Sequence, residues 1–80
     1  MPKTLRSPRH EALRVLLIKE RKQAGLTQTK VAKKLRRYQS FVAMVEGGQR
    51  RLDVVEFLDF AEAIGFDPRS AIKHLLSVKS

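Results

Sequence analysis

Gln28-Thr-Lys-Val-Ala-Lys-Lys-Leu-Arg-Arg-Tyr-Gln-Ser-Phe-Val-Ala-Met-Val45 is the stretch that decides how this 80-residue chain folds. Val31, Ala32 and Leu35 fall on one helix face at i, i+1, i+4 spacing, and Val42 and Val45 repeat at i, i+3. Between the two sets stands a short polar break, Arg36-Arg37-Tyr38, with room only for a corner. Two helices that share one apolar seam across such a corner cross steeply, and the second keeps an exposed outer face. Ala32 lies where they come closest, and a larger side chain there would hold them apart.

Outward from this pair, the termini of further helices are written in local signals. Ser7-Pro8 is an N-cap followed by proline at the first helical position. Leu13, Leu16, Leu17 and Ala24 mark the inner face of that first helix, and Gly25 is placed to close it in the left-handed conformation. Thr27 caps the second helix, which ends near Leu35. The third runs from about Gln39 to Glu46 and stops at Gly47-Gly48. Asp53-Val-Val-Glu56 has capping-box spacing and opens a fourth helix that ends at Gly65. Asp67-Pro68 repeats the cap-plus-proline signal ahead of a fifth, through Ala71, Ile72, Leu75 and Leu76. No segment alternates with period 2 between turns, so the fold class expected is all-α. Residues 1–6 read as a flexible basic arm, and residues 7–80 as a single domain.

Charge narrows the partners. The formal net charge is +9, and residues 1–51 hold 14 Lys and Arg against 3 acids, a balance of +11. Segregation of that kind makes one positive surface, which attracts a polyanion and releases its counterions on contact. A basic membrane-surface helix would carry aromatics on its apolar face, and the first helix has none. Nucleic acid is therefore the better partner, and an RNA reader's aromatic stacking platform is not visible. No apolar run reaches the roughly 18 residues of a membrane span, since Arg14 and Lys19 bracket the best one. A cytoplasmic, nucleoid-associated protein is expected. With no cysteine, thiolate chemistry is excluded. His10 and His74 lie far apart in sequence and read as surface or half-buried residues, so no metal site, no cofactor and no enzyme activity are expected.

With the helices placed, the chain resembles the phage lambda repressor–Cro family of helix-turn-helix regulators, the XRE family. The resemblance covers residues 13 to about 67. It rests on Arg21, on Ala24-Gly25-Leu26-Thr27-Gln28, on Val31-Ala32 with Leu35, on Gln39-Ser40-Phe41-Val42, and on Val45-Glu46-Gly47-Gly48-Gln49-Arg50 in register. It implies a compact five-helix, lambda-repressor-like DNA-binding domain in which helix 3 enters the major groove. Thr27 and Gln28 would meet a phosphate, as the free amides and dipole of a helix N-terminus already favour. The family also bonds this glutamine to the first residue of the reading helix, here Gln39. Gln39, Ser40, Met44 and Phe41 are the candidate base readers. Gln39 is the best suited of them, since a glutamine amide matches adenine N6 and N7. Phe41 has two open readings, contact with a thymine methyl or bracing against the protein. Gln49, Arg50 and Arg51 are candidate phosphate contacts, with main-chain amides of that loop alongside. Lys30, Lys33 and Lys34 read mainly as a solvated positive face. Arg21 and Glu46 would form a partly buried ion pair. Three positions depart from the family: Arg36 where the turn usually has glycine, Tyr38 where a Ser or Thr would cap the helix, and Ala43 in place of a frequent serine.

The function expected is a sequence-specific transcriptional regulator, a repressor, acting as a homodimer on a palindromic operator in double-stranded DNA. Phe66, Ile72, Leu75, Leu76 and Val78 are the candidate dimer interface, because they exceed what a short terminal helix needs for its own core. The alternatives are an antitoxin with a toxin as protein partner, or the controller of a restriction–modification operon. No small-molecule ligand is expected.

Overall fold

The computed structural model describes residues 7–79; the arm expected over residues 1–6, with Lys3 and Arg6, lies outside the described residues. Five helices follow in order: α1 (Pro8–Gln23), α2 (Gln28–Leu35), α3 (Gln39–Gly47), α4 (Val54–Ile64) and α5 (Pro68–Leu76). Among the described residues there is no strand. The all-α, five-helix expectation is met, with the helix-turn-helix formed by α2 and α3.

The local signals act as their chemistry requires. The Ser7 hydroxyl accepts the His10 amide at 3.1 Å, and Thr27 Oγ1 accepts the Lys30 amide at 3.1 Å. Asp53 and Glu56 make a reciprocal capping box, with Asp53 Oδ1 accepting from Glu56 N at 2.7 Å and Glu56 Oε1 accepting from Asp53 N at 3.0 Å. Asp67 caps α5 ahead of Pro68. α3 alone starts without a side-chain bond, because Tyr38 at its N-cap has no oxygen in reach.

The corner between α2 and α3 turns on Arg36, which takes the left-handed conformation at φ 58°. Its amide donates to Lys33 O and that of Arg37 to Ala32 O, so the last carbonyls of α2 are satisfied without a glycine. The conformation is strained for a residue bearing a Cβ.

Behind this corner α2 packs on α3 and α4, while α1 packs on α3 and α5. Leu17, Val31, Ala32, Val42, Val45, Phe60 and Ile64 form the buried centre. Phe41 joins them, its ring 5.9 Å from that of Phe60. Phe66 packs against the same core and stands 5.9 Å from Phe57. Leu75 is buried on the inner face of α5, beside His10, Leu13 and Leu52. Arg9 ties that end of the molecule together by donating to the carbonyls of Leu75 and Val78.

Candidate nucleic-acid interface

Glu46 sits on the inner side of α3 with only 5% of its surface exposed. A carboxylate so placed needs partners for both oxygens. Arg21 of α1 supplies a fork, with Nε to Oε2 at 2.6 Å and Nη2 to Oε1 at 3.1 Å. Arg21 is itself held by a bond from Nη1 to the Leu26 carbonyl at 2.9 Å. Gln28, at the first turn of α2, donates from Nε2 to Glu46 Oε1 at 2.8 Å.

From this point polarity propagates outward. An ionised carboxylate only accepts, so the Gln28 amide must turn its NH2 towards Glu46 and its oxygen away. That oxygen accepts from Gln39 Nε2 at 2.7 Å. One amide hydrogen of Gln39 is thereby occupied, while the other hydrogen and the carbonyl oxygen face outward from an exposed residue. These two groups are the pair that adenine N7 and N6 require. The relay Arg21–Glu46–Gln28–Gln39 thus carries a buried ion pair to the tip of the exposed helix and fixes a rotamer there.

The other expected readers divide. Ser40 and Met44 are exposed on the outer side of α3. Phe41 is not: only 6% of it is exposed, against Phe60, so its place is a brace and not a base contact. Phe41 is instead the platform for two arginines. The Arg37 guanidinium lies 3.7 Å from the ring centroid and that of Arg50 lies 5.1 Å away. Both approach Glu56 of α4, Arg50 Nη2 at 2.7 Å and Arg37 Nη1 at 3.7 Å. The Asp53 backbone N–H holds the Glu56 carboxyl below its ordinary pKa and the two arginines add to this, against some burial.

Among the expected phosphate contacts, Thr27 is exposed and Gln28 half-buried in the relay. The side chains of Gln49 and Arg51 are exposed, and Arg50 is half-buried at Glu56. Main-chain contact by Gly48, Gln49 or Arg50 does not fit the hydrogen bonding of this loop. The Gly48 amide donates to Val45 O, and those of Gln49 and Arg50 donate to Met44 O, so all three close the end of α3. Gly48 takes φ 87° to make that closure. Lys30, Lys33 and Lys34 are all exposed.

The expected dimer surface also divides. Leu75 is buried within the monomer, Phe66 packs on the core and Val78 is half-buried, which removes Leu75 and most of Phe66 from any outer face. Ile72 and Leu76 remain exposed, at 45% and 69%. Val54, Val55 and Leu58 of α4 join the exposed apolar set, which the sequence reading missed. The signal was present: α4 carries more apolar residues than its inward face, Phe57, Phe60, Ala61 and Ile64, can take up.

Two further residues depart from expectation or were unassigned. His10 is buried at 6% exposure, with Nε2 unpartnered, so it is neither a surface nor a half-buried residue. Burial and the nearby Arg51 charge hold its pKa below the ordinary value. Arg14 donates from Nη1 to the Glu46 carbonyl at 2.7 Å and pairs with Glu11, steadying the end of α3 from below.

Among the described residues, no group of three His, Cys, Asp or Glu could hold a metal, and no helix is long and apolar enough to cross a membrane. The model of a helix-turn-helix domain family matches residues 5–75. A solved structure described as an XRE-family like protein from Pseudomonas syringae pv. tomato str. DC3000 is 45% identical, superposes with a TM-score of 0.86, and is matched over 94% of this chain and 92% of that one. No curated protein matches the sequence. On the fold, the family match and this likeness together, the chain belongs to the XRE-type helix-turn-helix domains, a DNA-binding class.

Proposed function

We propose that the protein is a sequence-specific transcriptional repressor that binds a palindromic operator as a homodimer. The observation that carries this reading is the relay ending at Gln39, whose free N–H and C=O stand at the N-terminus of an exposed helix. A network that runs from buried Glu46 to one surface amide has a ready purpose in reading adenine. A bidentate pair of that kind is worth about 1–3 kcal/mol of discrimination between bases. Ser40 and Met44 stand beside it, and the exposed cations Lys30, Lys33, Lys34 and Arg51 supply the sequence-independent attraction to phosphate.

A single module offers few readers, so useful affinity calls for two half-sites about one helical turn apart. The exposed apolar residues of α4 and α5, Val54, Val55, Leu58, Ile72 and Leu76, support the second copy as their cover. Repression follows where a bound dimer covers DNA that the transcription machinery needs.

Selection of bound duplexes from a random pool at a stated salt concentration tests the reading. Enrichment of a two-fold symmetric sequence containing adenine opposite Gln39 is expected, and recovery of sequences no different from the input pool would count against it.

A further inference from the structure

We propose that Arg37 and Arg50 form a two-guanidinium clamp on a DNA phosphate, set on the ring of Phe41 and held by Glu56. The proposal rests on the DNA-binding reading above and adds to it a contact residue, Arg37, in the corner of the helix-turn-helix. Arg37 precedes α3 and Arg50 follows it, so the chain brings them together only because both lie over Phe41, at 3.7 Å and 5.1 Å from its centroid. Both also approach the same carboxylate oxygen of Glu56, at 3.7 Å and 2.7 Å. Two cations gathered on one ring repel each other, and one carboxylate leaves the cluster with a net single positive charge.

The donors left over face a ligand. Arg50 turns Nη1 and Nη2 to Glu56 and Nη1 also to the Arg51 carbonyl, which leaves Nε–H and one Nη2–H. Among the described residues the Arg37 side chain makes no hydrogen bond; its approach to Glu56 is an ion pair through Nη1 alone. Its Nε and Nη2 edge is therefore open, and a guanidinium edge matches two oxygens of one phosphate. The side chain of Arg37 is 43% exposed and that of Arg50 40%, so the pair is ordered by its neighbours yet reachable from solvent. Stacking on Phe41 fixes the plane of Arg37 before DNA arrives, which lowers the entropy lost on contact. The ligand class is a backbone phosphate and not a base edge, because the clamp flanks α3 and is not on its outer face.

Two charge-removing variants test this, Arg37→Gln and Arg37→Met, the second keeping an unbranched side chain to pack over Phe41. Affinity for the selected duplex and for a shuffled one is measured across a series of salt concentrations, with melting temperatures in parallel. Loss of one phosphate contact lowers the slope of log affinity against log salt by about 0.9, hence by nearly 2 for a dimer on two half-sites. Both folded variants are expected to show that smaller slope, with affinity weakened equally on the two duplexes. An unchanged slope in the variants, with wild type binding normally, overturns the clamp and leaves the DNA-binding reading intact. A loss confined to the selected duplex also overturns it, as base contact. Wild-type protein that binds no duplex in a salt-dependent way overturns both.

Discussion

Glu46 joins the stability of this molecule to its reading face. It sits at 5% exposure between the guanidinium of Arg21 and the amide of Gln28. Removing one partner of a buried pair strands the other, at about 3–5 kcal/mol. Glu46→Ala is therefore expected to lower the melting temperature by upwards of about 12 °C. Gln39→Ala, at the exposed end of the same relay, should leave the melting temperature within a few degrees of wild type. Comparable losses in the two variants would contradict this division. His10 gives a second expectation, in pH. Its folded pKa lies below the ordinary value near 6.5, so the unfolded chain takes up the proton first. Stability should then decline as the pH falls below about 6.5, by at most about 1.4 kcal/mol per pH unit. Thermal melts at pH 7.5 and 5.5 should show that decline in wild type and a shallower one in His10→Leu; equal declines would remove His10 as the cause.

The helices were legible in the sequence because their signals are local. Ser7-Pro8, Thr27, Asp53 with Glu56, and Asp67-Pro68 each carry a hydrogen bond made within three residues of the cap. The side a residue faces was less legible where apolar neighbours adjoin. Phe41 precedes buried Val42, and only Phe60 arriving from α4 decides that the ring turns inward. Leu75 and Leu76 are adjacent leucines, and only the first is buried, where it lines a cavity with Leu13 and Leu52. His10 is buried where it lines a cavity with Arg51 and Leu52, residues remote in sequence, so nothing local marks it. Nothing local sets Arg37 apart from the polar corner around it, since the Glu56 it approaches arrives from α4. The recognition helix itself starts badly: Tyr38 is 85% exposed and makes no capping bond. Tyr38→Ser supplies the missing acceptor, and a gain of about 1 kcal/mol, or roughly 4–8 °C in melting temperature, is expected. A melting temperature that stays level or falls would mean that the α3 amides are already satisfied.

In the whole molecule the cations and most of the exposed apolar residues come from different parts of the chain. Fourteen of the 17 Lys and Arg fall in residues 1–51, while among the described residues most of the exposed large apolar side chains belong to α4 and α5, with Val15, Tyr38 and Met44 lying elsewhere. That separation suits a protein that binds a polyanion with one region and its own copy with another. Ile72→Glu places a charge on the apolar region without touching the core, since Ile72 is already 45% exposed. Sedimentation is expected to show a dimer for wild type and a monomer for Ile72→Glu, with weaker binding to a two-half-site operator; a wild-type monomer at all concentrations would contradict the dimer. The orientation of Gln39 for base reading, by a relay rooted at buried Glu46, has a direct measurement. Wild type and Gln39→Ala are titrated against the selected operator and a duplex with the adenine replaced, at one fixed salt concentration. Wild type should prefer the operator by about 5- to 150-fold, the equivalent of about 1–3 kcal/mol per base contact, and Gln39→Ala should bind both duplexes alike. Equal preference in the two proteins would contradict it.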